Sequence, residues 1–152
     1  MISTRKYDRK TDLALGLWVK LSRAHSCFSR LSKRDIAGYG LTEPQFAVLE
    51  CLGHLGPLKQ CDLSRKMLVS GGNMTVVVDN LEKDGLVQRA DDPRDRRAFK
   101  VTLTGKGKKL FGEIFGRHAA FVTHAASVLT EREQEELAGL LKKLGLGLRE
   151  PR

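Results

Sequence analysis

The sequence contains no apolar run approaching the ~18 residues of a membrane span. Its polar N-terminal stretch has no hydrophobic segment of the signal-peptide kind. A cytoplasmic protein with no membrane partner is therefore expected. Cysteine is scarce. Cys27, Cys51 and Cys61 are odd in number and lie 24 and 10 residues apart, which matches neither a disulfide framework nor a CxxC metal knuckle. Reduced, mostly buried thiols are the expectation. His25, His54, His118 and His124 are not arranged as i, i+4 pairs, so no metal site is expected. HExxH, GxSxG, P-loop and paired-carboxylate arrangements are missing too, which leaves no catalytic residue and no cofactor to assign. No repeat or low-complexity segment interrupts the chain.

What is present is a chain of 152 residues with 41% hydrophobic and 30% charged residues, enough for one domain with its own core. Its net charge of +9 is unevenly spread. Residues 1–36 carry nine Lys/Arg against three Asp/Glu, and residues 54–110 carry twelve against seven. Residues 37–53 hold two glutamates and no base, while 111–152 balance at six and six. The excess sits in the N-terminal arm and the middle, where a polyanion would be met. A basic, solvated surface explains the charge alone equally well.

Helical periodicity dominates the pattern. Leu13, Leu17, Leu21, Ala24, Phe28 and Leu31 form one stripe over residues 12–34. After "GYGLT", Thr42 heads "TEPQ", an N-cap with Gln45 three residues on, starting a short helix that Gly53 is expected to end. A second short helix is expected from Gln60 to Met67. Ser70 then caps a third, "GGNMTVVVDNLEKDG", closed by Gly85, with Met74, Val77, Val78 and Leu81 as its buried face. Gly72, Asn73, Val76 and Asn80 point the other way. Two runs of period two, "LVQRA" and "FKVTL", predict a hairpin with a long charged tip between them. Thr104 caps a long helix with Leu110, Ile114, Phe121 and Val122. "TERE" is a capping box for a last helix with Leu137, Leu140, Leu141 and Leu144. The class is mainly α with a small β-hairpin, and the centre reads as a winged helix-turn-helix.

The hairpin segment "DDPRDRRAFKVTLT" packs three aspartates and three arginines into its first seven positions. With "LTEPQFAVLECL", "LVSGGNMTVVVDNLEKDGLVQR" and "DPRDRRAFKVTLTGKG" in register, the chain resembles the MarR family of winged-helix transcription regulators along nearly its whole length. The resemblance implies a single domain over 1–152, with a winged helix at 42–104 and dimerisation helices at about 11–35 and 106–148. It further implies a homodimer on double-stranded DNA at a pseudo-palindromic operator, acting as a repressor released by a small ligand or thiol modification. The leucine stripes at both chain ends fit such a dimer, although they can also pack within one chain. A winged helix that binds protein instead of DNA is the rival class. The concentrated positive charge and the intact wing speak against it.

Individual residues acquire candidate roles. Ser70 can offer a hydroxyl and first-turn amides to a phosphate, or simply cap its helix. Gly72 allows close backbone approach. Asn73 carries the amide that pairs with adenine, and Thr75 can reach a base edge or phosphate. Val76 departs from the long polar or basic residue common in relatives, and offers only apolar contact, for instance to a thymine methyl. In relatives, the arginine matching Arg97 enters the minor groove and the aspartate matching Asp95 braces it. Arg94 and Arg96 suit phosphates or pairing with Asp91 and Asp92, and Arg89 can track the DNA backbone. The family's small-molecule pocket maps to Trp18, His25, Phe28 and Phe46, each of which core packing explains as well. Cys27, with Arg23, His25 and Arg30 nearby, is a candidate redox site, against the inert buried thiol that is the commoner case.

Overall fold

The computed structural model describes residues 7–67, 70–92 and 95–148, with the side chains of 95–98 outside that description. Six helices and three short strands follow one another as α1 (Arg9–Ala37), α2 (Glu43–Leu55), β1 (Leu58–Lys59), α3 (Gln60–Met67), α4 (Gly71–Lys83), β2 (Val87–Asp92), β3 (Asp95–Leu103), α5 (Gly105–Ala126) and α6 (Glu131–Gly147). Side-chain oxygens cap the helix starts. Asp8, Thr42, Ser70, Thr104 and Thr130 each accept from a backbone N–H three residues on, and Thr42/Gln45 and Thr130/Glu133 complete reciprocal capping boxes.

Three expectations need correction. Helix α2 does not end at Gly53 but runs to Leu55, and Gly56 with φ +75° turns the chain. Gly53 is there for packing: a Cβ at that position would collide with the Phe111 ring of α5. The hairpin has no long tip, because β2 reaches Asp92 and β3 begins at Asp95, so Asp91, Asp92, Asp95, Arg96 and Arg97 lie on the strands. A third strand was not foreseen. Two residues of β1 pair antiparallel with β3, giving the order β1-β3-β2.

The core belongs to the central segment. Leu41, Phe46, Val48, Leu49 and Leu52 meet Leu63, Met74, Val78, Leu81, Leu86, Val87, Val101, Leu103 and Ile114, while α1 contributes Ile36. Val77, expected on the buried face of α4, is only partly covered. Helix α5 docks its first turn on the turn after α4. Thr104 donates its backbone N–H to Leu86 O at 3.1 Å and its hydroxyl to Gly85 O at 2.7 Å, and Lys106 Nζ reaches Asp84 O at 2.7 Å. The lysine sits where the helix dipole of α4 leaves negative charge. Gly107 is buried, and a Cβ there would collide with the Leu86 carbonyl oxygen.

The terminal helices differ in kind. Helix α1 has 29 residues, a rod of roughly 43 Å. Only Ile36 near its end is buried, and α6 buries none. Leu13, Leu17, Trp18, Phe28 and Leu31 of α1 and Leu137, Leu140 and Leu141 of α6 are all exposed.

Candidate nucleic-acid interface

Helices α3 and α4 form the helix-turn-helix, and the β2–β3 hairpin lies after them as the wing. The register of α4 decides what it offers. Met74, Val78 and Leu81 are fully buried, which turns Gly72, Asn73, Val76 and Asn80 to solvent. Val76 is 59% exposed, so the core makes little demand on it. Ser70 accepts from Asn73 N at 3.4 Å, and the first-turn amides of Gly71 and Gly72 lie outside the helix ladder. An anion at this end would meet those amides and the positive end of the dipole.

Thr75 is also exposed, but its hydroxyl has internal partners: it accepts from Gln60 Nε2 at 2.7 Å and donates to Gly71 O at 3.1 Å. Arg89 is 79% covered, its side chain 21% exposed. Its guanidinium donates to Asp79 Oδ1 at 2.6 Å, to Glu82 Oε2 and to Gln60 Oε1 at 3.4 Å. Its backbone N–H donates to Glu82 Oε1 at 3.1 Å, and its guanidinium carbon lies 5.9 Å from the Phe99 ring centre. Partial burial pulls the Arg89 pKa down, but the bonds to Asp79 and Glu82 outweigh it, and the net shift is upward. The group stays charged.

Asp79, Glu82 and Gln60 were not singled out in the sequence, yet strand parity carried the signal. Arg89 sits two residues after the buried Val87 and opposite the buried Val101, hence on the core-facing side of the sheet toward α4. A second cluster supports the wing. Lys59 and Lys100 are cross-strand partners, an arrangement that repels. The Asp92 carboxylate, its side chain 4% exposed, lies 3.8 Å from Lys59 Nζ and 3.4 Å from Lys100 Nζ and offsets that repulsion. On the wing itself, Arg94 falls outside the described residues. Asp95, Arg96 and Arg97 lie on β3, with side chains outside the description.

The candidate ligand residues separate. Phe46 is buried, its ring 4.5 Å from His118 and 6.4 Å from Tyr39, whereas Trp18, His25 and Phe28 are exposed on α1. At the same junction, Asp35 accepts from Tyr39 Oη at 2.9 Å and pairs with His118 Nδ1 at 2.7 Å, tying α1 to α5. Burial first, then the bond to Asp35, raises the Tyr39 pKa. Of the cysteines, Cys51 is partly buried, and burial pushes its thiol up. Cys27 and Cys61 are exposed, contrary to the expectation of burial, because neither falls on a face that the core covers. Arg30 Nη2 lies 3.8 Å from Cys27 Sγ.

Known proteins agree with this architecture. The MarR family model matches residues 41–99. The HTH-type transcriptional regulator MhqR of Bacillus subtilis is 39% identical over 142 residues, spanning 92% of this chain and 97% of its own. BpsR of Bordetella bronchiseptica, whose DNA binding is regulated by 6-hydroxynicotinic acid, superposes with a TM-score of 0.74 at 26% identity, over 82% of this chain and 89% of that one. A mutant MarR of Escherichia coli complexed with operator DNA matches the fold with a TM-score of 0.78 at 24% identity, over 91% and 99% of the two chains. The chain belongs to the MarR family of DNA-binding, winged-helix transcription regulators.

Proposed function

We propose that the protein is a homodimeric repressor that reads a pseudo-palindromic operator and leaves it when a small effector binds or a thiol is modified. The observation that carries this reading is the division of labour in the chain. A self-contained winged helix turns Asn73 and Val76 outward, while α1 and α6 expose leucine faces that the protomer leaves uncovered. Two such protomers joined through these faces set two α4 helices for half-sites about one DNA turn apart. Ser70 and the amides of Gly71 and Gly72 bind phosphate, Asn73 pairs with adenine, and Val76 packs on a thymine methyl. Arg97 enters the minor groove braced by Asp95, with Arg94 and Arg96 on phosphates. The exposed ring-bearing face of α1, with Trp18, His25 and Phe28, accepts an aromatic acid of the kind that regulates BpsR, while Phe46 stays in the core against His118 and Tyr39. Exposed Cys27 beside Arg30 is the thiol route.

The test is selection of duplexes from a randomised pool by the purified protein, followed by mobility shift and sedimentation. The expected result is an inverted repeat bound by one dimer. Binding without sequence preference, or by a monomer, overturns it. Cys27→Ser protein that dissociates under peroxide or quinone just as the wild type does excludes the thiol route.

A further inference from the structure

Arg89 is a basic residue beside a DNA-reading helix, and counting charge assigns it to a phosphate. Its surroundings point elsewhere. Two carboxylates and one amide oxygen take its guanidinium donors. Asp79 and Glu82 belong to α4, Arg89 to β2 and Gln60 to α3, so one planar group joins three elements. The chain of bonds then continues. Gln60 Nε2 donates to the Thr75 hydroxyl, and that hydroxyl donates to the carbonyl of Gly71, the first residue of α4. Asn73 and Val76, the outward residues of this turn, flank Thr75.

We infer that Arg89 is a positioning residue for base reading: through Asp79, Glu82, Gln60 and Thr75 it fixes the rotation of α4 relative to the wing, and it does not contact phosphate. The inference rests on the operator-reading function proposed above and adds how that site is held. A fork that meets two acceptors at once sets direction as well as distance, which an ammonium cannot do. Base readout needs both, since a bidentate amide–adenine pair tolerates little rotation. Phosphate contacts tolerate more. Loss of the brace therefore degrades discrimination before it degrades attraction.

The experiment compares wild type, Arg89→Ala, Arg89→Lys and Asp79→Asn on two duplexes: the one enriched from a randomised pool by the wild type, and a scrambled version of the same composition. Binding is followed by anisotropy across a salt series. For Arg89→Ala the ratio of the two affinities falls about tenfold, comparable to losing one base contact, with the dependence of log K on log salt unchanged. Arg89→Lys keeps the charge and still loses most of the ratio. Asp79→Asn binds the scrambled duplex more tightly, because a negative charge is gone, yet its ratio also falls. Adding Arg89→Ala to Asp79→Asn costs less than the sum of the two, since they act on one bond. An unfolded fraction lowers both affinities alike and leaves the ratio untouched. The brace is overturned if Arg89→Ala weakens both duplexes equally and flattens the salt slope by ~0.9 per protomer, with Arg89→Lys restoring both. A wild type that enriches no sequence would overturn the operator-reading function itself, an outcome distinct from either result with the variants.

Discussion

Asn73 and Val76 sit one helical turn apart on the solvent face of α4, and the burial of Met74 and Val78 put them there. Their exposure was legible in the sequence, because apolar residues at i, i+3 and i+4 define the opposite face as well as the core. Removing the Asn73 amide by Asn73→Ala should cost ~1–3 kcal/mol of discrimination on the operator and little on random DNA, as read by mobility shift. An equal loss on both would make Asn73 a structural residue. On the wing, the proposed bracing of Arg97 by Asp95 predicts that Asp95→Ala weakens operator binding even though it removes a negative charge. Titration at several salt concentrations checks this, and tighter binding throughout would reject the bracing. The partner of a charge was harder to read than its sign. Arg89 was assigned by sign to DNA, whereas parity on β2 directs it to Asp79 and Glu82. Tyr39 was equally hidden, since nothing local announces a bond to an aspartate one turn earlier that also holds His118. Its folded pKa lies above the ordinary 10.0. The protonated phenol therefore contributes stability fully below that ordinary value, and the contribution is lost as pH rises through the folded value. Alkaline absorbance titration should show a tyrosine ionising late, and Asp35→Asn should move that step down.

Four helix starts were legible because a capping residue with a specific chemical task marks each, and Thr42, Ser70, Thr104 and Thr130 all perform it. Helix ends were less so. Gly53 looked like a stop, but its missing side chain is filled by the Phe111 ring, a contact 58 positions away in sequence that no local pattern reveals. The wing's strands exceeded their apolar alternation because ladder pairing continues into the charged stretch, where Asp91 still faces Phe99. Strand β1 was invisible at two residues, too short for any period to register. The docking of α5 on the α4–β2 turn is the element-scale contact most sensitive to a single atom. In Gly107→Ala the new methyl meets the Leu86 carbonyl oxygen, and α5 must retreat from Thr104's bonds to Gly85 and Leu86. Overpacking of this kind costs ~1–3 kcal/mol, to be read as a lowered urea midpoint. An unchanged midpoint would show that the turn yields freely.

At the scale of the whole chain, the core lies in the middle and the long helices at the two ends. Trp18 is 67% and Leu140 66% exposed in the protomer, and such surfaces invite association. Deleting residues 131–148 should abolish dimers in sedimentation and cooperative operator binding with them, while the winged helix keeps its circular dichroism signature. A truncated monomer with full operator affinity would refute the proposed assembly. The Asp35–His118 pair bears on a different property, because its two members stand 83 residues apart. The strand pairs of the central segment, Leu58 with Val101 and Val87 with Leu103, close shorter loops, and shorter loops close at less entropic cost. The reading head should therefore gain its structure early, and the α1–α5 junction should lock after it, because its members are more widely separated in sequence. Refolding from urea should resolve into a fast phase independent of protein concentration and a slow phase. His118→Ala should retard only the slow one.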